Sequence, residues 1–74
     1  MQTFPISVKG FSPETNENTL FHHFKSCGRI RREEITISHS VGYIQFIQHV
    51  GQMNALKMNQ TLIGEHKISV RVCK

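Results

Sequence analysis

Apolar and polar residues alternate from Phe4 to Lys9, with Ile6 and Val8 on one face and Ser7 and Lys9 on the other. A period of two predicts a strand buried on one side. Gly, Ser and Pro between Gly10 and Glu14 mark a loop, and Thr15 or Asn16 is placed to cap a helix. The period then changes: Leu20, Phe24 and Cys27 fall at i, i+4 and i+7, a helical stripe, and Gly28 is positioned to end that helix in a left-handed conformation. Ile35 and Ile37 alternate with Glu34, Thr36 and Ser38 as a second strand. His39 and Ser40 leave space only for a tight turn before a third strand, Val41 to Ile47, in which Gly42, Ile44 and Phe46 oppose Val41, Tyr43 and Gln45.

Gln48 to Met58 is long enough for a second helix packing through Gly51, Ala55 and Met58, although a glycine in a helix interior costs about 1 kcal/mol relative to alanine. Leu62 and Ile63 lead into a Gly64-Glu65 turn, and a last strand sets Ile68, Val70 and Val72 opposite Lys67, Ser69 and Arg71. The order β-α-β-β-α-β predicts an α+β, ferredoxin-like sandwich: a four-stranded antiparallel sheet with two helices on one face. With 74 residues there is room for one domain, and a chain of this size buries only about 60% of the surface it exposes when unfolded. Residues 1–74 are expected to be a single domain cut from a longer protein, because structured segments begin and end close to both termini.

Several segments resemble the RNA recognition motif family over essentially the whole chain. TNENTLFHHFKSCGRI is similar to the family's first helix and exit turn, with Leu20, Phe24, Gly28 and Ile30 at matching positions. ALKMNQTLIGEHKISV is similar to its second helix, short extended connection and fourth strand, while ISVKGF and HSVGYIQF stand where the two signature strands belong. The resemblance implies that the first and third strands lie side by side at the sheet centre and that their outward face stacks RNA bases on aromatic rings. The longer signature departs from the family pattern at His39, Ser40 and Val41 and fits it at Gly42, Tyr43, Ile44 and Phe46. Of the three platform positions, Ser7, Val41 and Tyr43, only Tyr43 carries a ring. Each stacked base is worth about 1–3 kcal/mol, so two absent rings forgo roughly 2–6 kcal/mol. Glu33 also departs, occupying a position that is usually apolar and buried in the family.

Nine Lys and Arg against five acids give a formal charge of +4, which favours polyanionic partners. In the inferred sheet, Lys9, Lys67 and Arg71 share a face with Tyr43 and are candidate phosphate contacts. Ser7, Gln45 and Ser69 are candidate hydrogen-bonding partners for base edges or 2′-hydroxyls. Val41 completes the candidate RNA-binding set. Arg29, Arg31 and Arg32 read as a solvated edge. Phe21 lies about 100° around the first helix from Leu20, either at the rim of the packing stripe or as an exposed apolar contact for a protein partner; the alternative function is a protein-interaction module on the same fold, using this helix face or the aromatic-poor sheet. One peptide-binding variant of the family has an Arg-X-Phe loop before the last strand, where this chain has IGEHK.

The five histidines match no zinc spacing. No nucleophile–base set or Gly-rich phosphate loop points to an enzyme, and no cofactor is implied. Cys27 and Cys73 form no CxxC pair, and reduced thiols in an intracellular compartment, nuclear or cytoplasmic, are the expectation. The resemblance implies that Cys27, at a usually bulky apolar position, is buried. The N-terminus lacks signal-peptide character, and no apolar run approaches the roughly 20 residues of a membrane span. The expected partner is single-stranded RNA, bound by a monomer.

Overall fold

The structure, a computed structural model, describes residues 2–73. β1 (Phe4–Lys9) leads into α1 (Glu17–Phe24), then one turn of 3-10 helix (Arg32–Glu34), β2 (Thr36–Ser38) and β3 (Val41–Phe46). α2 (His49–Leu56), β4 (Leu62–Ile63), β5 (His66–Lys67) and β6 (Ser69–Val72) complete the order. Among the described residues, β2-β3-β1-β6 form one antiparallel sheet, with β3 and β1 central, and β4 and β5 pair as a separate small hairpin.

Strand alternation decides which face is the core. Ile6, Val8, Ile44, Phe46 and Val70 are buried, and they meet Leu20 and Phe24 from α1 and Ala55 from α2. Asn16 caps α1 through Oδ1, which accepts the Thr19 N–H at 2.9 Å. The two residues between β2 and β3, His39 and Ser40, both have positive φ (53° and 64°), as a two-residue hairpin turn between right-twisted strands requires.

Gly28 departs from the expectation. α1 ends at Phe24, with Lys25 still right-handed, and Gly28 does not have positive φ. Its smallness serves packing instead: a Cβ there would lie 2.7 Å from the Gly51 Cα. Gly51 is equally constrained, since a Cβ on it would lie 2.6 Å from Cδ1 of the buried Phe46. The backbone after α1 therefore rests directly on α2, with the Phe46 ring beneath, and the helix-propensity cost of Gly51 is offset by this close approach.

Amide side chains around α2 tie the layers together. Gln52 is buried, and its Nε2 donates to the Pro5 carbonyl at 2.9 Å. Asn54 Nδ2 donates to the Cys27 carbonyl at 3.0 Å. The outer edge of β6 is covered by the segment after α2: Ile68 N–H donates to the Thr61 carbonyl, Gln60 N–H to the Ile68 carbonyl, and Val70 N–H to Asn59 Oδ1. These bonds occupy main-chain groups that would otherwise form an open sheet edge.

Three other expectations change. The second strand is only Thr36–Ser38, because the Arg32–Glu34 turn takes up the preceding residues and delivers Ile35, not Glu33, to the core. Glu33 is exposed, and the Arg31 guanidinium holds Glu34 at 2.6 Å and approaches Glu33 at 4.0 Å. The last sheet strand starts at Ser69, and Val72 is 47% exposed where burial was expected. α2 is shorter than its predicted span, though Met58 beyond it still packs against the core. Cys27 is buried as expected, and burial pushes its thiol pKa up, away from the reactive thiolate.

Two outcomes follow from this packing. Gly28→Ala should destabilise the fold by about 1–3 kcal/mol, because backbone and not a flexible side-chain tip stands in the way of the new methyl; chemical denaturation measures it. The second concerns His23, whose Nε2 lies 3.1 Å from Thr61 Oγ1. The Thr61 hydroxyl donates to the Met58 carbonyl, so its oxygen accepts from a neutral His23 carrying the proton on Nε2. Burial holds the His23 pKa below its ordinary value. Between the folded and the unfolded pKa (about 6.5) the unfolded chain binds more protons, so this contribution to stability is complete above that value and is lost as pH falls through the folded pKa. Denaturation midpoints across this window should decrease as the pH is lowered, and His23→Gln should flatten the slope.

Candidate nucleic-acid interface

The outward face of the sheet carries the side chains that the core face rejects. Ser7 pairs with Tyr43 on one side and with Arg71 on the other, and Tyr43 pairs with Thr36. Thr36, Tyr43, Ser7 and Arg71 thus form one row across all four strands. Lys9 pairs with Ser69 one step along β1 and β6, and Val41 pairs with Ser38 across the β2–β3 hairpin. Gln45 pairs with Pro5 at the opposite end. Tyr43 is half-buried by its neighbours, whereas Lys9 and Arg71 are exposed.

This arrangement is a shallow, cationic surface with one ring at its centre. The ring offers a π-face to a planar group, and Arg71, two strands away, and Lys9, toward the β6 side, offer charges that a phosphate chain can reach. Gln45 is partly committed: Thr3 Oγ1 donates to Gln45 Oε1, leaving the amide nitrogen as the donor it presents. Ser38 Oγ lies 3.0 Å from His39 Nδ1 at the β2–β3 turn.

Seven of the eight candidate residues, Ser7, Lys9, Val41, Tyr43, Gln45, Ser69 and Arg71, stand on the four-stranded sheet. Lys67 does not. It pairs with Leu62 in the β4–β5 hairpin, before β6 begins, where residues 59–61 bind the edge of the last strand. Thr36 and Ser38 were not among the candidates. Their signal was present in the alternation of the second strand, but a three-residue strand gives little pattern to read. Phe21 is half-buried against the core rim, with the Arg32 guanidinium 4.3 Å from its ring centroid. Arg29, Arg31 and Arg32 divide: Arg31 pairs with Glu34, Arg32 covers Phe21, and Arg29 is exposed.

The family model described as "RNA recognition motif" matches residues 6–69, which takes in most of β1, all of β3 and both helices. The chain belongs to the RNA recognition motif family. No curated protein matches it in sequence. Among solved structures, a G-rich RNA sequence binding factor 1 from Homo sapiens superposes with a TM-score of 0.87 at 17% identity, covering 100% of this chain and 83% of the other. The Nab3 domain studied for cis element recognition of non-polyadenylated RNAs gives 0.83 at 21% identity, covering 95% and 93%. The RRM3 domain of Mip6 gives 0.86 at 21% identity, covering 93% and 91%. At these identities the likeness is one of fold, and it places this recognition motif's sheet, helices and strand order with theirs.

Among the described residues no group of three His, Cys or acidic side chains is placed to hold a metal ion, and no helix is long and apolar enough to cross a membrane.

Proposed function

We propose that this RNA recognition motif is a non-enzymatic module that binds single-stranded RNA on its outward sheet face. The observation that carries the proposal is the row Thr36–Tyr43–Ser7–Arg71, in register across the sheet on the side opposite the helices. One base stacks on Tyr43. Arg71 and Lys9, both on the β1–β6 side of that ring, hold phosphates of the strand as it crosses the sheet, and Ser7, Ser69 and the Gln45 amide nitrogen bond base edges or 2′-hydroxyls. Val41 supplies apolar contact beside the ring. Lys67, displaced onto the hairpin, acts as a peripheral charge that steers the strand and does not fix its register.

Magnitudes rank the contacts. A stacked base contributes about 1–3 kcal/mol, and a single phosphate contact contributes less and is eroded by salt. With Ser7 and Val41 unable to stack, no second ring on this face can replace Tyr43. In titrations with a pool of short single-stranded RNAs at fixed salt, Tyr43→Ala should weaken binding by roughly five- to a hundred-fold. Tyr43→Phe should retain most of the affinity, since the ring and not the hydroxyl makes the contact. Lys9→Ala should weaken binding modestly and reduce the slope of log affinity against log salt by about 1. A folded Tyr43→Ala protein that binds as tightly as the parent would place the RNA site elsewhere on the domain.

A further inference from the structure

On the helix side of the molecule, away from the Tyr43 face, a groove of about 480 Å3 lies between the end of α1 and the start of α2. Phe21 and Ile30 supply apolar walls, Gly28 lines it between them, Lys25 and Arg29 stand at the rim, and Gln48 closes one end. Three features of this groove constrain what fits it.

The first is charge. None of the five glutamates lines the groove, and neither Lys25 nor Arg29 has a carboxylate partner among the described residues. Both are exposed, and Arg32 adds a further cation beside Phe21. The second is rigidity. Arg32 is fixed by Asn18, whose Oδ1 accepts from Nη2 at 2.6 Å, and it lies over the Phe21 ring. The Phe21 wall is therefore set before anything binds, which spares a ligand the cost of ordering it. The third is an open amide. Gln48 precedes the first residue of α2 and its side chain makes no capping bond, so it is available to a main chain lying in the groove.

From these features we infer that the groove between Phe21, Ile30 and the Lys25/Arg29 rim binds an acidic segment of a protein partner, which seats one large apolar side chain between carboxylates. The carboxylates meet Lys25 and Arg29, the apolar side chain rests on Phe21 and Ile30, and Gln48 bonds the partner's backbone. The volume is within the range of about 300–1,000 Å3 typical of small ligand pockets. An RNA base fits the same space less well. The base's polar edges would be buried against Phe21 and Ile30 with Gln48 as the one side-chain amide to satisfy them. This assignment does not depend on RNA binding at Tyr43, and the two surfaces can be occupied together.

The test is an NMR titration of the intact chain with a short synthetic peptide carrying one central tryptophan flanked on both sides by glutamates. The expected result is saturable shifts at the amides of Phe21, Lys25, Gly28 and Ile30, with those of Ser7, Tyr43 and Arg71 unmoved. The combined Lys25→Glu, Arg29→Glu variant changes only exposed side chains and should weaken the peptide at least tenfold while keeping the parent's far-ultraviolet spectrum. A lysine-flanked version of the peptide should not bind. The inference is overturned if the groove amides stay silent at millimolar peptide, if the charge-reversed protein binds equally well, or if single-stranded RNA displaces the peptide from these amides.

Discussion

In β1 and β3 successive side chains point to opposite faces, and the antiparallel pairing of Ile6 with Ile44 and Ser7 with Tyr43 locks the two strands to each other. Ile6, Val8, Ile44 and Phe46 are fully buried. At about 1.5–3 kcal/mol for each large apolar side chain taken out of water, these four together are worth roughly 6–12 kcal/mol, as much as the whole net stability of an ordinary small domain. A slip of one residue in either strand would turn that strand's two core residues to solvent, Ile6 and Val8 in one case and Ile44 and Phe46 in the other. The burial of one face therefore fixes the other: Ser7 and Tyr43 point outward because the residues on both sides of them are buried, and Arg71 joins their row through its pairing with Ser7 and the burial of Val70. The surface proposed to bind RNA is the reverse of the surface that holds the fold together.

What holds the helices against that sheet is less visible in residue patterns. Gly28 and Gly51 are separated by a long stretch of chain, and neither signals from sequence that the two backbones touch over Phe46. Gly28 follows a helical stripe, where a left-handed cap is the ordinary inference; its use in a close approach depends on a partner that local spacing cannot name. Gln52, Asn54 and Asn59 look like surface polar residues, yet they bind main-chain groups of β1, the α1 exit and β6. Strict alternation, by contrast, exposes the faces of β1 and β3 directly, and most of the candidate interface could be read from it. Lys67 broke the pattern because the periodicity of the last strand continues through the residues where the hairpin takes over from the sheet. Alternation reports which way a side chain points, and it is silent about which strand lies alongside.

The Arg29–Arg32 region shows how one charge run can be put to three uses. The two glutamates after it neutralise Arg31, the α1 surface engages Arg32 through Phe21 and Asn18, and Arg29 is left at the groove rim. Read as a run it is a solvated edge; resolved in space, it leaves one arginine in an ion pair, one over an aromatic ring and one at the groove rim. The sheet face and the helix-side groove lie on opposite sides of the core, so the two proposed ligands would not compete for space.

Tyr43 is the chain's single tyrosine, and there is no tryptophan, so the protein's own ultraviolet emission above that of phenylalanine reports from the centre of the sheet face. The most direct test is to follow that emission while adding short single-stranded RNA. Stacking on Tyr43 predicts saturable quenching whose midpoint matches the affinity measured independently by NMR or calorimetry, and which shifts to higher RNA concentration as salt is raised. RNA that binds at full occupancy while the Tyr43 emission stays unchanged would contradict the assignment of the sheet face as the binding surface.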